Sequence, residues 1–149
     1  MHSIFDSNDR AAILARIAAL QPSSTRQWGK MNPAQMLGHL AATLEMVLSE
    51  SSTKQKLLGK ILTPFIRSLA IGEKPFGRNS PTDPSFVISD ERDFEKERER
   101  LRALLGKVIE QGPETAGKRV HIFFGKLSGA EWGVLIHKHF DHHLRQFSV

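Results

Sequence analysis

The sequence predicts an all-α fold, a bundle of four or five helices. Three observations lead there: apolar residues recur at helical spacing in successive segments, two of those segments open with capping signatures, and no run alternates long enough to pair into a sheet.

The first helix is expected over Asp9–Leu20, where Ile13, Leu14, Ile17 and Leu20 share a face, Ser7-Asn8-Asp9 precede it and Pro22 follows. The second is expected over residues 32–50. Asn32-Pro33-Ala34-Gln35 supplies a cap, a proline at the first helical position and a glutamine at the third, and Met36, Leu40, Val47 and Leu48 follow. A polar break at residues 51–55 leads to a third, shorter helix over Lys56–Leu69, with a bend at Pro64. Its amphipathic run Lys54–Arg67, carrying Lys56 and Lys60, reads as a packed bundle helix rather than a segment on an anionic membrane.

Ala70–Ser89 carries Gly72, Pro75, Gly77, Pro81 and Pro84 without periodicity, so it is expected to be a long irregular central loop. Loops of that length serve as lids or binding segments, or here as a strap with Phe76 and Phe86 packed on the core. Asp90–Gln111 reads as a long helix with Phe94, Leu101, Leu104, Leu105, Val108 and Ile109 on one side and a solvated charged face on the other. Gly112, Pro113 and Gly117 break the chain, and Val120–Phe124 is too short to imply a sheet. The last helix opens with the capping box Ser128-Gly129-Ala130-Glu131 and is expected to reach Phe147.

With 149 residues, 40% hydrophobic and 25% charged, the chain suits one globular domain, 1–149, and not a disordered or two-domain protein. The absence of Cys removes disulfides, thiolate metal sites, iron–sulfur clusters and cysteine nucleophiles, so a transition-metal site must use His, Asp or Glu. The polar N-terminus and the lack of a spanning apolar run lead to the expectation of a cytoplasmic protein without a membrane partner. A net charge of +5 favours anionic ligands, but no clustered basic stripe points to nucleic acid.

Four of the seven histidines lie within Ile136–His143. At about 100° per residue, His139 and His143 fall within about 40° of each other on the face of Trp132, Leu135, Ile136 and Gln146. His137, Lys138, Asp141 and Arg145 point to the other side, where a solvated role suffices. Buried imidazoles without partners are costly, so something should satisfy the pair. Histidines at i and i+4 present ring nitrogens to one point, and His39, on a face with Met36, Leu40, Thr43, Met46 and Val47, is the best third candidate. Such a set suits zinc, nickel or iron(II). His142 can replace His139 or His143 geometrically, and His121 is a candidate fourth ligand or a surface residue near the Gly117 turn. His2 reads as disordered. The HExxH signature, with its general base beside the metal, is absent. Trp28 and Trp132 are expected in the core near the site, each indole needing an acceptor or water.

The residues resemble the DinB-like metal-binding superfamily, in a branch described only as a domain of unknown function. Trp28 followed by Met31–Leu40, Glu131-Trp132-Gly133 followed by Lys138–Phe147, Lys74-Pro75-Phe76 and Pro81-Thr82-Asp83 carry the resemblance. It implies a four-helix bundle, so the fold class becomes that bundle with an additional short helix and the long central loop. It implies a divalent metal held by His39, His139 and His143, with Gln146 in a position compatible with orienting a ligand. A homodimer is also implied, though no exposed helical stripe in the sequence establishes it. Members of assigned activity include thiol-dependent transferases and isomerases, whereas this branch has no assigned substrate.

Three functions compete. The first is a metal-dependent enzyme, a thiol transferase or hydrolase, in which the 70–89 loop with Lys74, Arg78 and Asn79 closes over a small thiol or other small anionic ligand. The second is a noncatalytic, stress-related metal- or small-ligand-binding module, its metal saturated by His121 or His142. The third is a helical interaction protein whose buried histidines bond to Gln35, Thr43 or Gln146.

Overall fold

The computed structural model describes residues 1–49, 55–80 and 83–149, and within these the side chains at positions 58, 60, 62 and 64–66 are outside the description. The expected polar break therefore lies, but for Gln55, outside the described residues, as do Pro81, Thr82 and the side chain of Lys60.

The fold is helical: α1 (Ser7–Ala19), α2 (Pro33–Leu48), α3 (Leu57–Ile71), α4 (Phe94–Ala116) and α5 (Gly129–Gln146). A 3-10 turn spans Pro84–Phe86, and Val120–His121 (β1) pairs antiparallel with Gly125–Lys126 (β2). Helices α1, α2, α4 and α5 form the bundle, with α2 along α4 and α5 touching all three others. The additional helix α3, packed on α5 and β2, has 15 residues over nearly the expected span and is shorter than α2, α4 and α5.

The capping chemistry largely sets these boundaries. In α2, Asn32 Oδ1 accepts from the Gln35 backbone at 2.9 Å and Gln35 Oε1 accepts from Asn32 at 3.0 Å. In α5, the Ser128 and Glu131 pair does the same. The start of α1 differs from expectation because Asp6 caps it, accepting from Asn8 and Asp9, so Ser7-Asn8-Asp9 lie inside the helix. Helix α4 starts at Phe94 behind the cap Asp93 and continues past Gln111, broken at Gly112, whose φ of 75° lets Pro113–Ala116 resume at an angle. The backbone of α3 stays helical through position 64 and on to Ile71, which shortens the irregular loop, and the 3-10 turn shortens it further.

Ile13, Ile17, Leu37, Leu40, Leu44, Leu101, Leu105, Phe140 and Leu144 are at most 1% exposed and form the shared core. Each such side chain contributes about 1.5–3 kcal/mol on leaving water. The charged run of α4 is not wholly solvated: Glu97 is buried, paired with Arg92 at 3.0 Å and Arg100 at 2.9 Å. Its carboxyl lies against Gly38 of α2, where an added Cβ would sit 3.4 Å away. No described helix is long and apolar enough to cross a membrane.

Candidate metal centre

Helices α2 and α5 cross so that His39, His139 and His143 each offer a ring nitrogen within 4.8 Å of the other two. The ring centroids form a triangle of 5.0, 4.6 and 4.8 Å sides. Among the described residues, His121 and His142 do not join this group.

The hydrogen bonds fix which nitrogen each ring presents. His39 Nδ1 lies 2.8 Å from the Phe86 carbonyl, which can only accept, so Nδ1 carries the proton and Nε2 a lone pair. His143 Nδ1 lies 3.1 Å from Gln146 Oε1. The Gln146 amide cannot be reversed, because its Nε2 donates to the Trp28 carbonyl at 2.6 Å. His143 therefore also presents Nε2 as an acceptor. His139 Nε2 is 3.0 Å from His39 Nε2. Two acceptors held by outer partners, with a third imidazole against one of them, form a group of three histidines that could hold a metal ion.

Burial keeps these rings neutral, the form that ligates. It pushes His143 down to about 3, helped by His39, and His139 well below the usual imidazole range, helped by His143 and His39. His39 is lowered mainly by burial, partly offset by its bond to Phe86. Neutral nitrogen donors fit zinc, nickel or iron(II).

Two of the three ligand candidates, His39 and His143, have a built support. Asp83 caps the 3-10 turn by accepting from Ser85 at 2.8 Å and pairs with Lys56, the residue before α3, and Lys56 with Ser85 holds its carboxyl down at about 2. That turn aims the Phe86 carbonyl at His39. On the other side, Gly29 has φ of 79°, and an added Cβ would lie 2.4 Å from Gln146 Nε2, so the glycine makes room for the amide that orients His143.

The triad borders a cavity of about 570 Å³, walled by Met31, Met46, Val47, Phe86, Ile122, Phe123, Phe124, Trp132 and Phe140, among others. A neighbouring recess of about 520 Å³ carries Arg78 and Arg145 and shares Trp28, Phe76 and His142 with the cavity. A model of the family described as the DinB superfamily matches residues 7–147. The chain belongs to the DinB superfamily. Comparison with curated proteins and with solved structures finds no match.

This DinB chain brings together the three histidines singled out in the sequence and places Gln146 as an orienting partner of His143. Of the loop residues, Asn79 lines the cavity, Arg78 stacks 4.8 Å over the Trp28 ring and lines the recess, and Lys74 lines neither. Thr43 bonds to Leu40 and Gln35 to its cap and the Asp90 carbonyl, so neither satisfies a histidine. Trp28 and Trp132 lie at the site, but their indole N–H groups make no hydrogen bond among the described residues.

Other polar residues depart from expectation. Lys138 is buried, donating to the Leu69 and Gly72 carbonyls at the end of α3 and lying 4.8 Å from the Phe76 ring centroid. Helix α3 covers the face that seemed solvated, and its terminal carbonyls recruit the ammonium. His2 is not disordered: it bonds to Asp9 at 2.6 Å and stacks on His137 at 5.2 Å. The hairpin was also unforeseen, because two-residue strands leave no periodic signal. Phe86 acts through its carbonyl and leaves no signal in its side chain. Asp83-Pro84-Ser85, a cap followed by proline, is the sequence signal that would have found its turn.

Proposed function

We propose that this chain is a metal-dependent enzyme whose divalent ion, zinc, nickel or iron(II), is held by His39, His139 and His143. The observation that carries the reading is the direction of two protons: Nδ1 of His39 and of His143 are committed to outer acceptors, leaving both Nε2 lone pairs for a cation. An ion held by these three imidazoles would acidify a thiol or a water molecule near neutral pH.

The chain's own residues supply the rest. Phe86 and Gln146 hold His39 and His143 in their ligating tautomers, and apolar side chains line much of the cavity beside the triad. Arg78 and Arg145 in the neighbouring recess suit the charged ends of a small anionic thiol, which makes thiol transfer the favoured version and hydrolysis the other. Membership of a metal-binding superfamily supports the same reading.

One observation favours a second reading. His139 can donate from Nε2 to His39 Nε2 at 3.0 Å, so part of the cluster satisfies itself without an ion, as in a noncatalytic ligand-binding module.

Elemental analysis separates the two readings. The protein is purified without chelator or His tag beside a His139→Ala, His143→Ala double variant handled identically. Near-stoichiometric metal in the parent and its loss in the variant support the enzyme reading and lead to thiol-transfer and hydrolase assays. No metal in either, even after reconstitution with zinc, nickel or iron(II), rejects it.

A further inference from the structure

His121, at the end of β1, is not explained by the metal centre. Its Nδ1 accepts two backbone N–H groups, from Phe123 at 3.0 Å and from Phe124 at 3.2 Å. Amide N–H groups only donate, so Nδ1 is the bare nitrogen and the neutral ring carries its proton on Nε2. Burial holds the ring neutral, far below the usual imidazole range, at about 4. The Nε2–H makes no hydrogen bond among the described residues. His121 lines the same cavity as the triad, and its ring stands 5.4 Å from Trp132, between the hairpin and α5.

The cavity's other walls say what kind of molecule fits. Its volume of about 570 Å³ falls in the range of small-molecule sites, roughly 300–1,000 Å³. Around it stand Phe86, Phe123, Phe124, Trp132 and Phe140, with methionine and aliphatic side chains beside them and histidines and a few neutral polar side chains on the rest of the wall. Lys30 is the only Lys or Arg among the described lining residues, with Asp83 as a carboxylate, whereas Arg78 and Arg145 lie in the adjoining recess. An anion in the cavity would surrender hydration without gaining a dense set of cations, but an uncharged aromatic body would gain contact on several sides. The Nε2–H of His121, like the indole N–H groups of Trp28 and Trp132 in the same lining, would then go unsatisfied unless the ligand brings an acceptor, and His121 alone among the three has its ring fixed by two backbone N–H groups.

We propose that the cavity binds an uncharged, largely aromatic or alicyclic molecule bearing one hydrogen-bond-accepting oxygen, such as a ketone or ether, which His121 receives through Nε2–H. This deepens the enzyme reading, on which it rests for its role in a reaction: the charged recess would take an anionic partner, and the inner cavity the apolar one. The binding itself does not depend on the metal. It also removes His121 as a fourth metal ligand, since its bare nitrogen is occupied and the other carries a proton.

The test uses three probes of one shape, 2-acetylnaphthalene, 2-ethylnaphthalene and 2-naphthoate, measured by displacement of the neutral fluorophore N-phenyl-1-naphthylamine. Metal-loaded and chelator-treated protein are compared, with metal content determined for each. The ketone is expected to bind about fivefold or more tightly than the hydrocarbon, and more tightly than the carboxylate, in both forms. His121→Asn keeps an oxygen where Nδ1 stands, so the two backbone N–H groups stay satisfied, but it lacks the donor at Nε2. In that variant the hydrocarbon should bind as in the parent and the preference for the ketone should fall below about twofold.

Equal binding of ketone and hydrocarbon by the parent overturns the proposal without recourse to any variant. So does a ketone preference that survives in a folded His121→Asn protein, one that vanishes when metal is removed, or tightest binding of the carboxylate by metal-free protein. Lack of metal in the elemental analysis, with the ketone preference intact, would reject the enzyme reading and leave this site standing.

Discussion

Gln146→Leu is the substitution that most sharply separates a site built for ligation from a histidine cluster that happens to be buried. Gln146 is 3% exposed and makes two bonds in the interior, accepting from His143 Nδ1 at 3.1 Å and donating to the Trp28 carbonyl at 2.6 Å. Leucine fills similar volume but can do neither. His143 then either keeps its Nδ1 proton without an acceptor, at about 1–3 kcal/mol, or moves it to Nε2, which closes that nitrogen to a cation. Either route is expected to lower metal affinity by about ten- to a hundredfold, as loss of an orienting partner generally does. Gln146→Glu is the informative companion. It keeps an acceptor for Nδ1 but leaves the Trp28 carbonyl without its donor, so it should retain affinity within about tenfold while losing thermal stability. The assay is competition for zinc against a chelator of known affinity, with unfolding of the metal-free proteins recorded in parallel. Zinc affinity of Gln146→Leu within twofold of the parent would refute the reasoning, because His143 would then be indifferent to what holds it.

Asp83→Ala should cost about 1 kcal/mol as a lost cap and also weaken zinc binding, since the turn it caps carries the Phe86 carbonyl; chelator competition reading the parent's affinity would contradict this. The Asp83 carboxylate is held low by Lys56 and Ser85, so its contribution is present above the ordinary carboxylate pKa and is lost only as pH falls toward about 2. His121 also costs stability on acidification, but at higher pH. The unfolded chain takes up its proton below about pH 6.5 while the folded ring resists to about 4, so at pH 5 it removes about 2 kcal/mol of stability. Urea unfolding of His121→Asn should therefore show an acid loss between pH 7.5 and 5 that is smaller by about that amount; an unchanged loss would speak against the buried neutral ring. Gly29→Ala combines a left-handed backbone with a Cβ 2.4 Å from Gln146 Nε2. It should cost at least about 1–2 kcal/mol, lowering Tm by several degrees, and reduce zinc affinity with it. A calorimetric scan matching the parent would count against the close approach.

Much of this arrangement was legible in the residues. The Ser128 and Glu131 box and the recurrence through Trp132, Ile136, His139 and His143 fix α5 and its inward face, because helical period and capping are local signals. The Asn32 cap and the burial of Met36 and Leu40 do the same for His39. Contacts between distant segments were illegible. Lys138 looked solvated on its own helix, and only the position of α3 puts two carbonyls within reach of its ammonium. Glu97 looked like one charge in a solvated run, and its burial depends on Arg92, Arg100 and the missing side chain of Gly38 on another helix. The Phe86 carbonyl that orients His39 is backbone, which every residue carries, so no residue type could announce it.

X-ray absorption of the zinc-loaded protein tests the central claim most directly, because it counts imidazoles around the ion. The account predicts three, at about 2.0–2.1 Å, with one or two light oxygen donors completing the shell, and loss of that spectrum in His39→Ala. Two or fewer imidazoles, or a His39→Ala protein with an unchanged spectrum, would contradict ligation by His39, His139 and His143.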